Sequence, residues 1–331
     1  MADKKKVRIC MVGAGMMANR VHYPSLASFD DVEIVGIGDL IPEAVNSTAE
    51  RYGIPQDYRF ELRHPNDYQQ MIERQNPDAV YVIGQPHIMF DIWVWCLQQG
   101  LNLFIEKPMG MTMHQAALLA NLADKHGCIT QVGHQRRSCP LLVKMREACL
   151  AHGPITHAVC EFFKYSPEPF INARDHMLDD CTHSIDTVRW MCGGEVVEVQ
   201  SHCKRVGVPD INWLGITLRF DNDSIGYVVN SWSSGRRVFR VQMHAPGIYT
   251  DAEVEAKAYL YEEGDYEGKE FDTKEVAGSD EIYVFGGFQA KNREFIDSVK
   301  SGRETTSSPF SDCLKTMEVV ETVLAQALLF E

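Results

Sequence analysis

Val7-Arg-Ile-Cys-Met-Val12 runs directly into Gly13-Ala14-Gly15-Met16-Met17-Ala18. The first six residues form a short apolar run of the kind that makes a strand buried on both faces. The next six read G-x-G-x-x-A and open a helix. In such a turn the first glycine permits the tight bend and the second lets backbone approach a pyrophosphate. The alanine allows the helix to pack closely on the strand. The helix N-terminus adds N–H donors and the positive end of its dipole. Glycine-rich turns are common, so context gives this one its meaning. The following strand ends at Ile37-Gly38-Asp39. An acid there, about 20–25 residues past the glycines, accepts hydrogen bonds from adenosine ribose hydroxyls. It also repels a 2′-phosphate, and neither Leu40 nor Ile41 offers a positive charge to hold one. The stretch predicts a dinucleotide site at Gly13, Gly15, Met16, Met17 and Asp39, with NAD preferred over NADP.

Working outward, short apolar runs at 7–12, 33–37, 79–83, 102–105 and 128–132 alternate with helical patterns at 42–51, 66–74, 90–99 and 114–125. Strand–helix alternation implies parallel pairing with right-handed crossovers, hence a doubly wound sheet. The style changes after residue 133. Strands are expected at 157–163, 196–203, 213–220, 224–231 and 238–244, with a hairpin signal at Asp221-Asn222-Asp223. Helices are expected at 177–191, 288–301 and 311–329. Strands without intervening helices predict a mostly antiparallel sheet. The fold class is therefore α/β: a Rossmann domain over residues 1–130, then an α+β domain over 131–331 that binds substrate.

Bulk properties narrow the classes. The chain has 331 residues, enough for two cores. Its formal charge of −14 argues against nucleic-acid and anionic-membrane partners, which need basic patches. No apolar run reaches the ~18–20 residues of a membrane helix. The basic start, Met1-Ala-Asp-Lys-Lys-Lys, lacks a small-residue cleavage site and does not read as a signal peptide. The ten cysteines form no C-x-x-C pair and no zinc-spaced cluster. The expectation is a cytoplasmic protein with reduced thiols and no metal.

Two further constellations carry chemistry. The strand at 102–105 runs into Glu106-Lys107-Pro108. The carboxyl edge of such a sheet is where ligands bind. A lysine held extended by the following proline can hydrogen-bond a substrate hydroxyl and stabilise a developing alkoxide. In the second domain stands Met177-Leu-Asp179-Asp180-Cys-Thr-His183-Ser-Ile-Asp186. On a helix, Asp179 and His183 share a face. His183 is a candidate general base, since an ordinary imidazole titrates near ~6.5. Asp179 either orients it or contacts substrate itself. The same residues would also serve as a capped helix with a half-buried histidine. A metal held by Asp179, Asp180, His183 and Asp186 is disfavoured, because Asp180 should point away from the Asp179/His183 face.

Together, G-x-G-x-M-A at 13–18, Glu-Lys-Pro at 106–108 and D-x-x-x-H-x-x-D at 179–186 resemble the Gfo/Idh/MocA oxidoreductases. Asp78-Ala-Val-Tyr-Val-Ile-Gly-Gln-Pro-His87, Gly133-His-Gln-Arg-Arg137 and Glu294-Phe-Ile-Asp-Ser-Val-Lys-Ser-Gly302 extend the likeness over nearly the whole chain. The resemblance implies an open sheet that packs against a second subunit, giving a homodimer or homotetramer. It implies that Lys107 touches substrate and nicotinamide, that His183 is the acid/base and that Asp179 is its companion. It places Gln85, Pro86, His87, Glu106, Gln135 and Arg136 beside the cofactor. Tyr165, Arg174 and His176 lie just before the catalytic helix and are candidate substrate contacts. The implied reaction is reversible hydride transfer to or from a secondary hydroxyl of a sugar, glycoside or cyclitol. The alternatives are redox-neutral glycoside cleavage through a transient keto-sugar and, less favoured, a non-catalytic NAD or sugar sensor. Many members carry glycine between the Asp and His; this chain has Cys181 there, whose side chain would narrow the pocket or shift the helix and so bear on the choice of substrate.

Overall fold

The computed structural model describes residues 6–64, 66–165 and 176–329. They form two compact units. One contains the chain up to Gly133 together with Ile282–Val284 and Phe288–Leu314. The other contains His134–Glu281, Phe285–Gly287 and the chain from Lys315 on. The sequence assigns everything beyond residue 130 to a second domain, but the packing returns the helix Phe288–Ser301 to the first unit. The reason is apolar burial. Phe295 and Ile296 are fully buried in the same cluster as Ile9, Met11, Tyr81 and Phe104.

The first unit holds a six-stranded, wholly parallel sheet. Its strands are β1 (Val7–Val12), β2 (Val32–Asp39), β3 (Arg59–Glu61), β4 (Ala79–Val82), β5 (Asn102–Ile105) and β6 (Thr130–Val132). The order is β3-β2-β1-β4-β5-β6, that of a Rossmann sheet, with the order reversing next to β1. All four residues of β4 are buried, as an apolar strand covered on both faces requires. The short β3 carries no apolar run and escapes sequence reading.

The second unit holds an eight-stranded sheet. It comprises β7 (His157–Tyr165), β8 (Val196–Lys204), β9 (Trp213–Phe220), β10 (Ile225–Ser231), β11 (Ser233–Ala245), β12 (Ile248–Glu253), β13 (Lys257–Glu262) and β14 (Lys269–Asp272). The order is β14-β13-β12-β11-β7-β10-β9-β8, and every pairing is antiparallel except β7 with β10. The helices Pro140–His152 and Thr182–Cys192 pack on strands of this sheet. β12, β13, β14 and the helix Pro140–His152 have no counterpart among the elements expected from sequence. In the helix, apolar and polar residues are not sharply segregated, so its periodicity is faint. Among the described residues no helix is long and apolar enough to cross a membrane. All ten cysteines are free.

Candidate active site

In the parallel-sheet unit, four strand ends supply the candidate cofactor residues. β1 delivers the turn at Gly13. Its φ is +111°, and a Cβ there would stand 2.1 Å from the Ile83 carbonyl oxygen, so the fold itself demands glycine. The Gly13 N–H donates to the Gly38 carbonyl at 2.8 Å, which ties the turn to β2. Gly15 differs. A Cβ there meets nothing within 4 Å, so the fold has no need of a glycine at that position. A pyrophosphate approaching the backbone does need one. That contrast is the physical test of the cofactor, and the loop passes it. Met16 is 76% exposed beside it. Met17 precedes a π turn, Ala18–His22, that continues into the helix Tyr23–Ala27.

Asp39 closes β2. One carboxylate oxygen accepts the Ala14 N–H at 2.7 Å and the other accepts the Ile41 N–H at 3.0 Å. The acid is thus oriented against the glycine turn by backbone donors. Leu40 and Ile41 are exposed apolar side chains just beyond it. Gln85 and His87 are exposed after β4, and Pro86 begins the helix Pro86–Gln98. β5 ends at Ile105, and Glu106 and Lys107 follow it. All these groups stand at the carboxyl edge of one sheet.

Glu106 has partners within the protein. Its side chain is buried, and one carboxylate oxygen stands 2.9 Å from the His22 ring Nε2. The other accepts the Lys107 N–H at 3.3 Å. His22 is itself 1% exposed and lies 84 residues upstream, so nothing local in the sequence points to the pair. Lys107 is half-buried.

In the mixed-sheet unit, Asp179 is exposed, Asp180 buried and His183 half-buried. Met177–Cys181 forms a π turn leading into the helix Thr182–Cys192. Such turns are frequent at functional sites. Asp180 turns inward, accepting Lys164 Nζ at 2.7 Å and the Trp232 indole N–H at 2.7 Å. Cys181 is buried within the turn, and burial pushes its thiol well above the ordinary range. The His183 ring meets that of His134 edge-to-face at 6.4 Å between centroids. His134 Nδ1 lies 3.6 Å from the Asp186 carboxylate. Burial would raise the Asp186 acid, but the Arg137 guanidinium, with Arg137 Nε donating at 2.8 Å, and His134 hold it far below the carboxylate range. Thr316 Oγ1 completes this set at 3.0 Å from Asp186.

Four further candidates lie among the described residues of this unit. His176 is 1% exposed and tilts over the Trp232 ring at 4.1 Å, so it packs rather than lining an open pocket. Burial first, then the Lys164 charge, push its pKa down to about 4 against the pull of Asp179. Arg136 is buried; its guanidinium donates to Glu255 at 3.0 Å and lies over the Phe239 ring at 4.5 Å. Gln135 is buried in the same turn, Gln135–Ser138. Tyr165 ends β7 and is 67% exposed. Arg174 lies outside the described residues.

Comparison with known proteins fits this picture. Residues 7–134 match the oxidoreductase family GFO_IDH_MocA, with its NAD-binding Rossmann fold, and residues 150–245 match the GFO/IDH/MocA C-terminal domain. An oxidoreductase of Bacillus subtilis, YrbE, is 23% identical over 239 residues, covering 69% of this chain and 67% of that protein. The scyllo-inositol 2-dehydrogenase (NAD(+)) of the same organism is 22% identical over 243 residues, covering 69% and 68%. The structure of a Gfo/Idh/MocA family oxidoreductase from Vibrio cholerae superposes with a TM-score of 0.84 at 18% identity, covering 98% of this chain and 99% of that one, so the fold is shared. With both of the family's domains matched in order along its length, the chain belongs to the Gfo/Idh/MocA oxidoreductases.

Proposed function

We propose that this enzyme moves a hydride between NAD(H) and a secondary hydroxyl of a sugar, glycoside or cyclitol. The observation that carries the reading is the convergence of the Gly13–Gly15 turn, Asp39, the turn at Gln85 and Lys107 on the carboxyl edge of one parallel sheet. The inositol dehydrogenase among the relatives supports the class of substrate.

Bound NAD supplies the two-electron hydride acceptor. The chain supplies the rest. The Lys107 ammonium donates to the reacting oxygen and steadies the negative charge that grows on it. His183 takes the hydroxyl proton in oxidation and returns it in reduction. Asp179, exposed on the turn before His183, orients substrate hydroxyls or the imidazole. Asp39, its carboxylate fixed by two backbone N–H groups, favours NAD over NADP by accepting from ribose hydroxyls and repelling a 2′-phosphate. The face of the eight-stranded sheet that carries the exposed Tyr227 is our candidate for packing against a second copy.

The experiment is a screen of sugars, glycosides and inositols with NAD and NADP, read by absorbance at the NADH band. The active substrate is then taken to the Lys107→Met and His183→Ala variants. Each substitution is expected to lower kcat by ~10²–10⁴-fold. Near-wild-type turnover in both variants would remove the assigned roles.

A further inference from the structure

The Glu106 carboxylate does more inside the parallel-sheet unit than any cofactor role explains. It follows the last residue of β5, where the strand's own hydrogen bonds stop. One oxygen meets His22 Nε2 at 2.9 Å and the other accepts the Lys107 backbone N–H at 3.3 Å. Gly133, which bonds back to the Ile105 carbonyl at 2.8 Å, leaves the space: a Cβ there would stand 2.5 Å from a Glu106 oxygen.

His22 is held just as firmly. Its second ring nitrogen stands 3.2 Å from Asn292 Oδ1, and Asn292 Nδ2 donates to Ser25 Oγ at 2.9 Å. The imidazole packs edge-on to Phe104 at 5.2 Å, with Tyr81 at 6.1 Å and Phe288 at 6.4 Å. It closes the π turn that begins just past the phosphate loop. A buried carboxylate survives in such surroundings only with a partner of this kind.

We infer that the His22–Glu106 couple is the positioning element for Lys107. It ties the helix that follows the glycine turn to the strand end that carries the lysine, and it sets where the Lys107 backbone leaves the sheet. Glu106 and His22 are positioning residues; they act through Lys107. The functional weight of the couple rests on the role proposed for Lys107, whereas the positioning itself does not.

The test therefore reads Lys107 directly. Full-length wild type, His22→Gln, Glu106→Gln and Glu106→Ala are treated with N-acetoxysuccinimide well below their melting temperatures. Acetylation of Lys107 is followed by mass spectrometry against Lys125 of the same unit as an internal control. NAD+ affinity is measured in parallel by fluorescence titration. In Glu106→Ala and His22→Gln the Lys107/Lys125 rate ratio is expected to change by roughly 5- to 30-fold, the factor that loss of local order of modest free energy produces. Glu106→Gln, which keeps an oxygen for the Lys107 N–H and an amide for His22, should return the ratio to within about twofold of wild type. A purely structural role lowers the melting temperature but leaves the ratio unchanged, and that result overturns the inference. Loss of NAD+ affinity with an unmoved ratio overturns it too, and makes Glu106 a cofactor contact. Failure of the function reading is seen separately, as undiminished turnover of Lys107→Met.

Discussion

The two units build their candidate residues in opposite ways. The parallel-sheet unit does it with backbone: a glycine at φ +111°, an aspartate oriented by two N–H groups, and a row of strand ends. The mixed-sheet unit does it with buried charge. Asp186 is clasped by Arg137, with His134 beside it, and Asp180 by Lys164 and Trp232. Backbone requirements are local and leave a mark in the residues that meet them. Charge networks join residues far apart in the chain and leave almost none. The first unit should therefore be sensitive to changes of shape, and the second to changes of charge or pH.

The largest stability effect is expected in the second unit. Asp186 is 1% exposed, and Arg137, 5% exposed at its side chain, is its cation. Asp186→Asn keeps the shape and removes the carboxylate charge from beside the buried Arg137 guanidinium. A loss of about 3–5 kcal/mol is expected by urea denaturation. A loss below about 1 kcal/mol would mean that the network is solvated in the native protein. Next comes Gly13→Ala in the first unit. Its Cβ collides with the Ile83 carbonyl in a backbone conformation that alanine resists, and a cost of about 2–4 kcal/mol should appear in the same assay.

The pH response sharpens the contrast. His176 has a pKa of about 4 in the folded protein and His244 likewise, against 6.5 when exposed. Burial is the main cause in both; Lys164 adds to it for His176 and His157 for His244. Between pH 6.5 and 4 the unfolded chain binds protons on these rings that the folded chain refuses. Stability therefore rises with pH across this window and falls as the solution is acidified through it, by up to about 3 kcal/mol for His176 alone. Asp186 works in a different range. Its depressed pKa adds stability above the ordinary carboxylate value, and that stability fades only at still lower pH. A urea series from pH 7 to 5.5 reads the histidines before the lowered carboxylates Glu253, Glu255 and Asp251 begin to contribute, and His176→Gln should flatten part of the slope. An unchanged slope in that variant would place His176 in contact with solvent.

The same division explains what could be read in advance. The parallel sheet, the glycine turn, Asp39 and the corner at Glu106–Lys107 are legible because apolar runs and glycine spacing encode them directly. The mostly antiparallel character of the second sheet is legible from strand succession. The inward turn of Glu106 is not, because its partner His22 sits in the π turn Ala18–His22, 84 residues upstream of this strand end. Nor is the burial of His176, which depends on Trp232 in a distant part of the chain. The π turn at Met177–Cys181 is not legible either. A regular helical wheel does not describe five residues that make one wide turn.

Gly15→Ala has the smallest expected effect on stability, and it discriminates most clearly between folding and binding. Its Cβ would meet no atom within 4 Å, in contrast to the 2.1 Å collision at Gly13. The fold should barely register the methyl, with a change within about 0.5 kcal/mol, as for an ordinary surface substitution. The space the methyl takes is the space through which a pyrophosphate would reach the backbone. NAD+ affinity should then fall by ~10-fold or more while the melting curve stays put, since lost close contact and displaced phosphate hydrogen bonds are worth at least that much. If affinity and stability moved together, or neither moved, the glycine turn would be an ordinary fold element, and nucleotide binding by the first unit would rest on Asp39, the turn at Gln85 and Lys107 at the other strand ends.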